Sequence, residues 1–219
     1  LVWTFNMRDD VPWVQYNPAT GETAIIEDDE GNPRMVNAHD VVYGTKRTLD
    51  PATGSQYAYV LYIIEGATAV NDGSETDLDT IGVEAVDDYT VAFTLRQPAG
   101  YFPGIASMWV VRPVYQPIID EFGARWVEPG IIVTNGPYVM DEWVHFDSMT
   151  LVKNPHYFNA DSVQIERIEF TMIVEASTAM AMYENNELDN TGPPLEEMDR
   201  IKADPVLSEE LDIRSSLCT

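Results

Sequence analysis

Apolar and polar residues alternate from the first positions of the chain. The run VWTFNMRDDVPWV places tryptophan, phenylalanine and valine at every second position and predicts a half-buried strand. Two turn-rich clusters, NPATGE and DDEGNP, then enclose the short apolar run AII, which predicts a β-hairpin excursion on the surface. The period changes to a helical one in NAHDVVYGTKRTL, where Val41, Val42, Thr45 and Leu49 share a face. Asn37 supplies an N-cap, and Asp40 three residues later forms a weaker version of the capping box. Gly44 lowers the intrinsic helix preference slightly. DPATGS ends this helix, and QYAYVLYIIEGATAVNDG predicts a second one, apolar over much of its circumference and therefore largely buried.

Next, VEAVDD and TVAFTLRQ predict a hairpin around Asp87 and Asp88, with Val91, Phe93 and Leu95 on one side. AGYFPGIAS reads as a turn or short helix and MWVVRPV as a short buried strand. QPIIDEFGARW predicts a helix with Pro117 near its first turn and Gly123 at its C-terminal end. From Asn135 onward the pattern predicts successive strands in GPYVMDEWVHF, SMTLVKN and VQIERIEFTMIV. A helix in EASTAMAMYENNEL follows, then another in PLEEMDRIKADP, opened by acids and closed before Pro205 as the helix dipole favours. LDIRSSLCT begins a further strand. Strands alternating with helices predict a mixed α/β fold.

The 219 residues are 45% hydrophobic, enough for a substantial core, and no run approaches the length of a membrane-spanning helix. LVWTFNMRDD has neither the basic nor the apolar region of a signal peptide, and LVWTF reads as a strand already under way. The chain is therefore expected to begin inside a longer protein. With 37 Asp and Glu against 12 Lys and Arg, the formal charge is −25. Such a surface repels nucleic acid and anionic lipid. The acids are spread along the whole chain, which fits solubility in a salty habitat better than a dedicated site for cations. Cys218 alone makes no internal disulfide and no metal cluster.

Candidate chemistry is sparse. The acid pairs Asp9–Asp10, Asp28–Asp29, Asp87–Asp88 and Glu196–Glu197 are adjacent residues that point into water, whereas a glycosidase needs carboxylates facing each other across a cleft. His39, His145 and His156 lack the spacing of a metal motif, and there is no phosphate loop or nucleophile elbow. No metal and no cofactor is expected. The aromatic residues stand out instead. Tyr57, Tyr59 and Tyr62 fall on or near one predicted helix, and Trp109 follows Met108. Core packing accounts for most aromatics, but Tyr57 comes directly after a turn, where a flat ring with a hydroxyl can line a cleft.

Several stretches in this order resemble the family 5 extracellular solute-binding proteins, the oligopeptide and dipeptide binders. They are VWTFNMRDDVPW, NAHDVVYGTKRTLDPATGSQYAYVL, IGVEAVDDYTVAFTL, IIVTNGPYVMDEW, KNPHYFNA and YENNELDNTGPPLEEMDRIKADP, running from Val2 to Thr219. The resemblance implies a periplasmic-binding-protein type II-like lobe I with the extra subdomain of peptide binders, the second lobe being absent. Residues 1–115 would be most of that subdomain, and 116–219 part of the sheet-bearing lobe up to the crossover. By the same resemblance Tyr57 falls on a pocket tyrosine, and Met108 stands where some peptide binders carry a histidine. Trp109 and Asn135 would neighbour the cleft. Gln56 replaces the family's proline, and the 17–33 excursion is longer than usual, departures that bear on ligand length and side-chain preference.

The resemblance implies a binding module and not an enzyme: part of the substrate-binding component of an ABC-type peptide importer, located in the periplasm or otherwise outside the cytoplasm. The partners would be an extended peptide and the membrane permease subunits, with no nucleic acid, and the protein would be a monomer. Within the same family a nickel complex, an oligosaccharide or a cell-wall peptide is the alternative ligand. A carboxylate-based hydrolase is the alternative of another class.

Overall fold

The computed structural model describes residues 1–213, so Cys218 and the end of the strand expected in LDIRSSLCT lie outside the described residues. Leu211–Ile213 themselves are in no strand. The chain divides into two compact units, one of residues 1–144 with 149–169, the other of residues 145–148 with 170–219. The boundary expected near residue 115 therefore falls inside the first unit.

The strands of the first half are β1 (Val2–Asn6), β2 (Val14–Asn17), β3 (Glu22–Ile25), β4 (Val83–Asp87) and β5 (Thr90–Thr94). The helices there are α1 (Ala38–Leu49), α2 (Ala67–Asn71), α3 (Phe102–Ala106) and α4 (Gln116–Phe122). β5 lies between β1 and β4, antiparallel to both, with a register shift between Ala85 and Asp87. Its Val91, Phe93 and Leu95 are buried as their spacing predicts. Phe93 packs edge-on to Phe5 at 5.9 Å and against Phe102 at 5.3 Å between ring centroids. α1 packs on β4 and β5, and Asn71 ties its last turn to α2 by donating to the Leu49 carbonyl at 2.8 Å.

β2 pairs with β3 in the predicted hairpin and on its other side with β6 (Val133–Thr134), which brings residues on both sides of position 115 into one sheet. β7 (Tyr138–Val144), β8 (Ser148–Lys153) and β9 (Arg167–Thr171) form a third sheet in that order. The second unit contains α5 (Ala176–Glu184), α6 (Met198–Ala203) and α7 (Leu207–Glu210), with Met180 and Ile201 buried.

The capping box of α1 is complete, and it does more than start a helix. Asp40 is buried, and its carboxylate accepts from the Asn37 backbone N–H at 2.9 Å, the Trp13 indole at 3.0 Å and the Arg34 guanidinium at 3.1 Å. Its carbonyl accepts from the Val114 N–H at 3.2 Å. One residue thus joins the helix start, the strand region around Trp13, the hairpin excursion and the segment leading to α4.

Three expected elements differ. The one strand expected over VWTFNMRDDVPWV ends at Asn6, and Val14 starts β2 in a different sheet, because the polar Arg8–Asp10 turn interrupts the alternation. The second helix is broken into a 3-10 turn over Ala58–Leu61 and the short α2. Gly66 between them has φ 75°, and a Cβ there would overlap the Thr80 carbonyl oxygen. Ile64 meanwhile bridges to Leu95. Pairing and close backbone approach override the apolar helix pattern. MWVVRPV is not a strand but a 3-10 turn over Trp109–Val111, in which the adjacent Val110 and Val111 are both buried and Trp109 is exposed. The Thr48 hydroxyl donates to the Val110 carbonyl at 3.0 Å, so the segment is satisfied by α1 and not by a neighbouring strand.

Four substitutions test this account. Asp40→Ala strands three donors around a buried site and is expected to cost about 3 kcal/mol, a fall in melting temperature of about 6–12 °C; Asp40→Asn, which keeps an acceptor, should cost less. Gly44 and Thr45 are neighbours in α1 with opposite expected signs. A Cβ at Gly44 would overlap the Arg112 carbonyl oxygen. The overlap, about 1–3 kcal/mol, offsets and exceeds the gain of about 1 kcal/mol in helix propensity, so Gly44→Ala destabilises. The fully buried Thr45 hydroxyl has no hydrogen-bond partner among the described residues, so Thr45→Val should stabilise by about 1 kcal/mol. Denaturant unfolding of the two variants measures both signs.

Candidate ligand-binding groove

Tyr57 is set by the turn before it. The Asp50 side chain accepts from the Ala52 N–H at 2.9 Å to open a 3-10 turn over Pro51–Thr53, which Gly54 closes with φ 65°. In the next turn Ala58 and Leu61 are buried and anchor the segment, leaving Tyr57 44% and Tyr59 52% exposed. Trp109 is held in the same way. Val110 and Val111 bury themselves, and the indole remains 60% exposed. The Tyr57 and Trp109 rings meet edge-to-face with centroids 5.3 Å apart, and Tyr59 stacks on Tyr57 at 6.3 Å. Tyr57 thus touches both Tyr59 and Trp109, and the three large rings form an exposed apolar cluster.

Met108 precedes Trp109 and is half-buried, packed against the main core. The structure thus brings Tyr57, Met108 and Trp109 together. Asn135 lies elsewhere, at the end of β6, on a cavity of about 290 Å³ shared with Arg8, Gly136 and Tyr157. A second cavity of about 400 Å³, lined by Phe5, Val41 and Ser107 among others, adjoins the first. The two share Met7, Arg112 and Pro113, so they form one open groove. Ser107 and Val111, on either side of Met108–Val110 in the chain, line the second cavity, whereas Tyr57, Met108 and Trp109 line neither.

The Asn135 end is built by a residue that the sequence pattern did not single out. Asn154 is buried; its side chain donates to the Gly136 carbonyl at 2.8 Å, and its backbone N–H donates to that of Pro137 at 2.9 Å. Its side-chain oxygen accepts from the His156 N–H at 2.9 Å. This locks the NGP turn to the NPHYF loop and so places Tyr157 and Phe158 over the cavity. The Asn-Gly-Pro of one loop and the Asn-Pro of the other were the available signal. His156 makes a structural contact, its Nε2 lying 3.2 Å from the Thr23 carbonyl. Arg8 was also passed over; its guanidinium lies 4.5 Å from the Phe158 ring centre and binds Asp10 through two bonds of 2.8 and 2.6 Å.

Asp10, Asp28 and Asp87, each in one of the acid pairs, are shifted away from the range of a general acid. Hydrogen bonds from Arg8 hold the Asp10 carboxyl below its ordinary value. Backbone N–H groups do the same, from Asn32 for Asp28 and from Tyr89 for Asp87. A general acid needs the opposite shift. Among the described residues no group of three His, Cys, Asp or Glu side chains is placed to hold a metal ion. No described helix is long and apolar enough to cross a membrane.

Over residues 1–217 the sequence matches the bacterial extracellular solute-binding proteins, family 5. The chain belongs to this family. It is 32% identical to the periplasmic oligopeptide-binding protein OppA of Escherichia coli over 222 residues, covering 100% of this chain and 37% of that protein. Its fold is similar to that of Burkholderia pseudomallei OppA, with TM-score 0.79 and 30% identity over 92% of this chain and 37% of the other. Haemophilus influenzae OppA in complex with RPPGFSPFR gives TM-score 0.77 and 30% identity over the same shares, 92% and 37%. The chain thus spans about a third of the length of these relatives. Family 5 members are solute-binding proteins, and the mixed α/β fold agrees with the family's periplasmic-binding-protein type II structures.

An exposed wall and a buried core respond differently to truncation. Trp109→Ala is expected to change stability by less than about 1 kcal/mol, whereas Phe102→Ala, in the core, should cost about 3–5 kcal/mol. Equilibrium unfolding of the two variants checks this contrast.

Proposed function

We propose that this chain is one wall of the peptide-binding cleft of an ABC-importer substrate-binding protein. The observation that carries the proposal is the contact between the exposed Tyr57 and Trp109 rings, with Ser107 and Val111, on either side of Trp109 in the chain, lining an open groove. Exposed rings in a soluble protein lose water when a ligand covers them, and flat amphipathic surface tolerates varied side chains. A relative of the same fold holds the peptide RPPGFSPFR. In this reading Tyr57, Met108 and Trp109 contact ligand side chains, and Asn135 borders the far end. Residues 1–115 form the extra subdomain of lobe I and 116–219 part of its sheet-bearing portion. The second lobe closes over the peptide, and differential affinity for the closed state drives closure. The protein is a monomer outside the cytoplasm that delivers peptide to permease subunits and catalyses no reaction. Its net charge of −25 argues against nucleic acid as a partner.

Two measurements test this. Thermal unfolding of the two-lobed protein should rise with concentration of di- to pentapeptides and stay unchanged with oligosaccharides. A rise with sugars alone would overturn the peptide reading. The isolated chain, offering half a site, should bind the same peptides at least about 100-fold more weakly, because partial contact recovers little of the cost of association. Equal affinities would mean that the second lobe contributes nothing.

A further inference from the structure

The groove departs from the rest of the molecule in charge. The chain carries 37 Asp and Glu among 219 residues, yet none lines either of the two adjoining cavities. Two of its 12 cationic side chains do, Arg8 and Arg112. Arg8 is already satisfied: Asp10 neutralises it and Phe158 lies against its guanidinium face. Arg112 differs. It lines both cavities, where they join, and its exposed side chain makes no ion pair or hydrogen bond within the described residues.

Its backbone, by contrast, is fixed. The N–H donates to the Trp109 carbonyl at 3.2 Å, and Gly44 of α1 lies so close to the Arg112 carbonyl that no side chain fits between them. A guanidinium carried on a fixed backbone, at an acid-free concavity of a strongly acidic protein, leaves a fork of donors with no acceptor among the described residues. The acids elsewhere repel an anionic ligand at long range but are screened by salt, whereas a contact pair in the groove is screened much less.

We propose that Arg112 is a specificity-determining residue that receives a carboxylate of the bound peptide in this groove. The inference rests on the peptide reading given above. The carboxylate has two possible sources, an acidic side chain or the peptide C-terminus. A bidentate guanidinium–carboxylate pair serves both.

The test is calorimetry on the two-lobed protein and its Arg112→Gln and Arg112→Lys variants. The probes are Ala-Glu-Ala and Ala-Gln-Ala, each with a free and an amidated C-terminus. In the wild type, removing the recognised carboxylate should weaken binding about tenfold, a typical value for a charge-assisted hydrogen bond. In Arg112→Gln the same removal should matter less than about twofold, and Arg112→Lys should retain an intermediate preference. The Glu–Gln contrast identifies a side-chain carboxylate, and the acid–amide contrast identifies the C-terminus. With no ion pair to lose, Arg112→Gln should melt within a few degrees of wild type. Equal ratios in the wild type and Arg112→Gln would overturn the role of Arg112 while leaving peptide binding intact. Absence of binding by all four peptides would overturn both readings.

Discussion

The buried carboxylate of Asp40 is the interaction on which the first compact unit depends. A charge taken out of water is tolerated only when its lone pairs are filled. Asp40 meets that demand with donors from three separate stretches of chain, Trp13, Arg34 and Asn37. The requirement works as a register pin. The hairpin excursion must return so that Arg34 reaches the carboxylate, and α1 must begin at Ala38 so that the capping box closes. Because the Asp40 carbonyl also holds Val114, the same residue fixes the segment that carries Arg112.

The groove follows from that framework. α1 packs so closely through Gly44 that the segment after Trp109 lies on its surface, with Val110 and Val111 turned inward and Trp109 outward. Asn154 does the equivalent work at the opposite end, holding two proline-bearing loops together. Both ends are loops anchored by buried groups, and the exposed side chains between them are left free to meet a ligand. The unit therefore presents groove residues of varied chemistry, with Asn135, Arg8, Tyr157 and Phe158 on one cavity and Arg112 on both.

Membership in the solute-binding family gives this arrangement its setting. The chain spans about a third of its relatives' length, and in the reading proposed above it supplies one side of a cleft. In the groove Arg8 is paired with Asp10, whereas Arg112 makes no side-chain ion pair or hydrogen bond within the described residues. Catalysis would need a raised carboxyl facing a partner, and the turn aspartates are shifted the other way by N–H groups that favour the charged form.

The sequence by itself determined the elements whose local signals and burial agree. The β4–β5 hairpin, the capped α1, α4 with its Gly123 stop, and the order of β7, β8 and β9 were all legible, because period, caps and turn residues point to the same answer there. It also marked Tyr57 as a residue after a turn. It did not show that the apolar run after Tyr57 breaks at Gly66, nor that MWVVRPV is a turn. Those outcomes are decided by a backbone 14 residues away at Thr80 and by the hydroxyl of Thr48 on another helix. The meeting of Tyr57 with Trp109, the role of Asn154 and the exclusion of acids from the groove are likewise tertiary. Each is a contact between residues far apart in the chain, and a periodic pattern carries only the face on which a residue lies, not the partner it will find there.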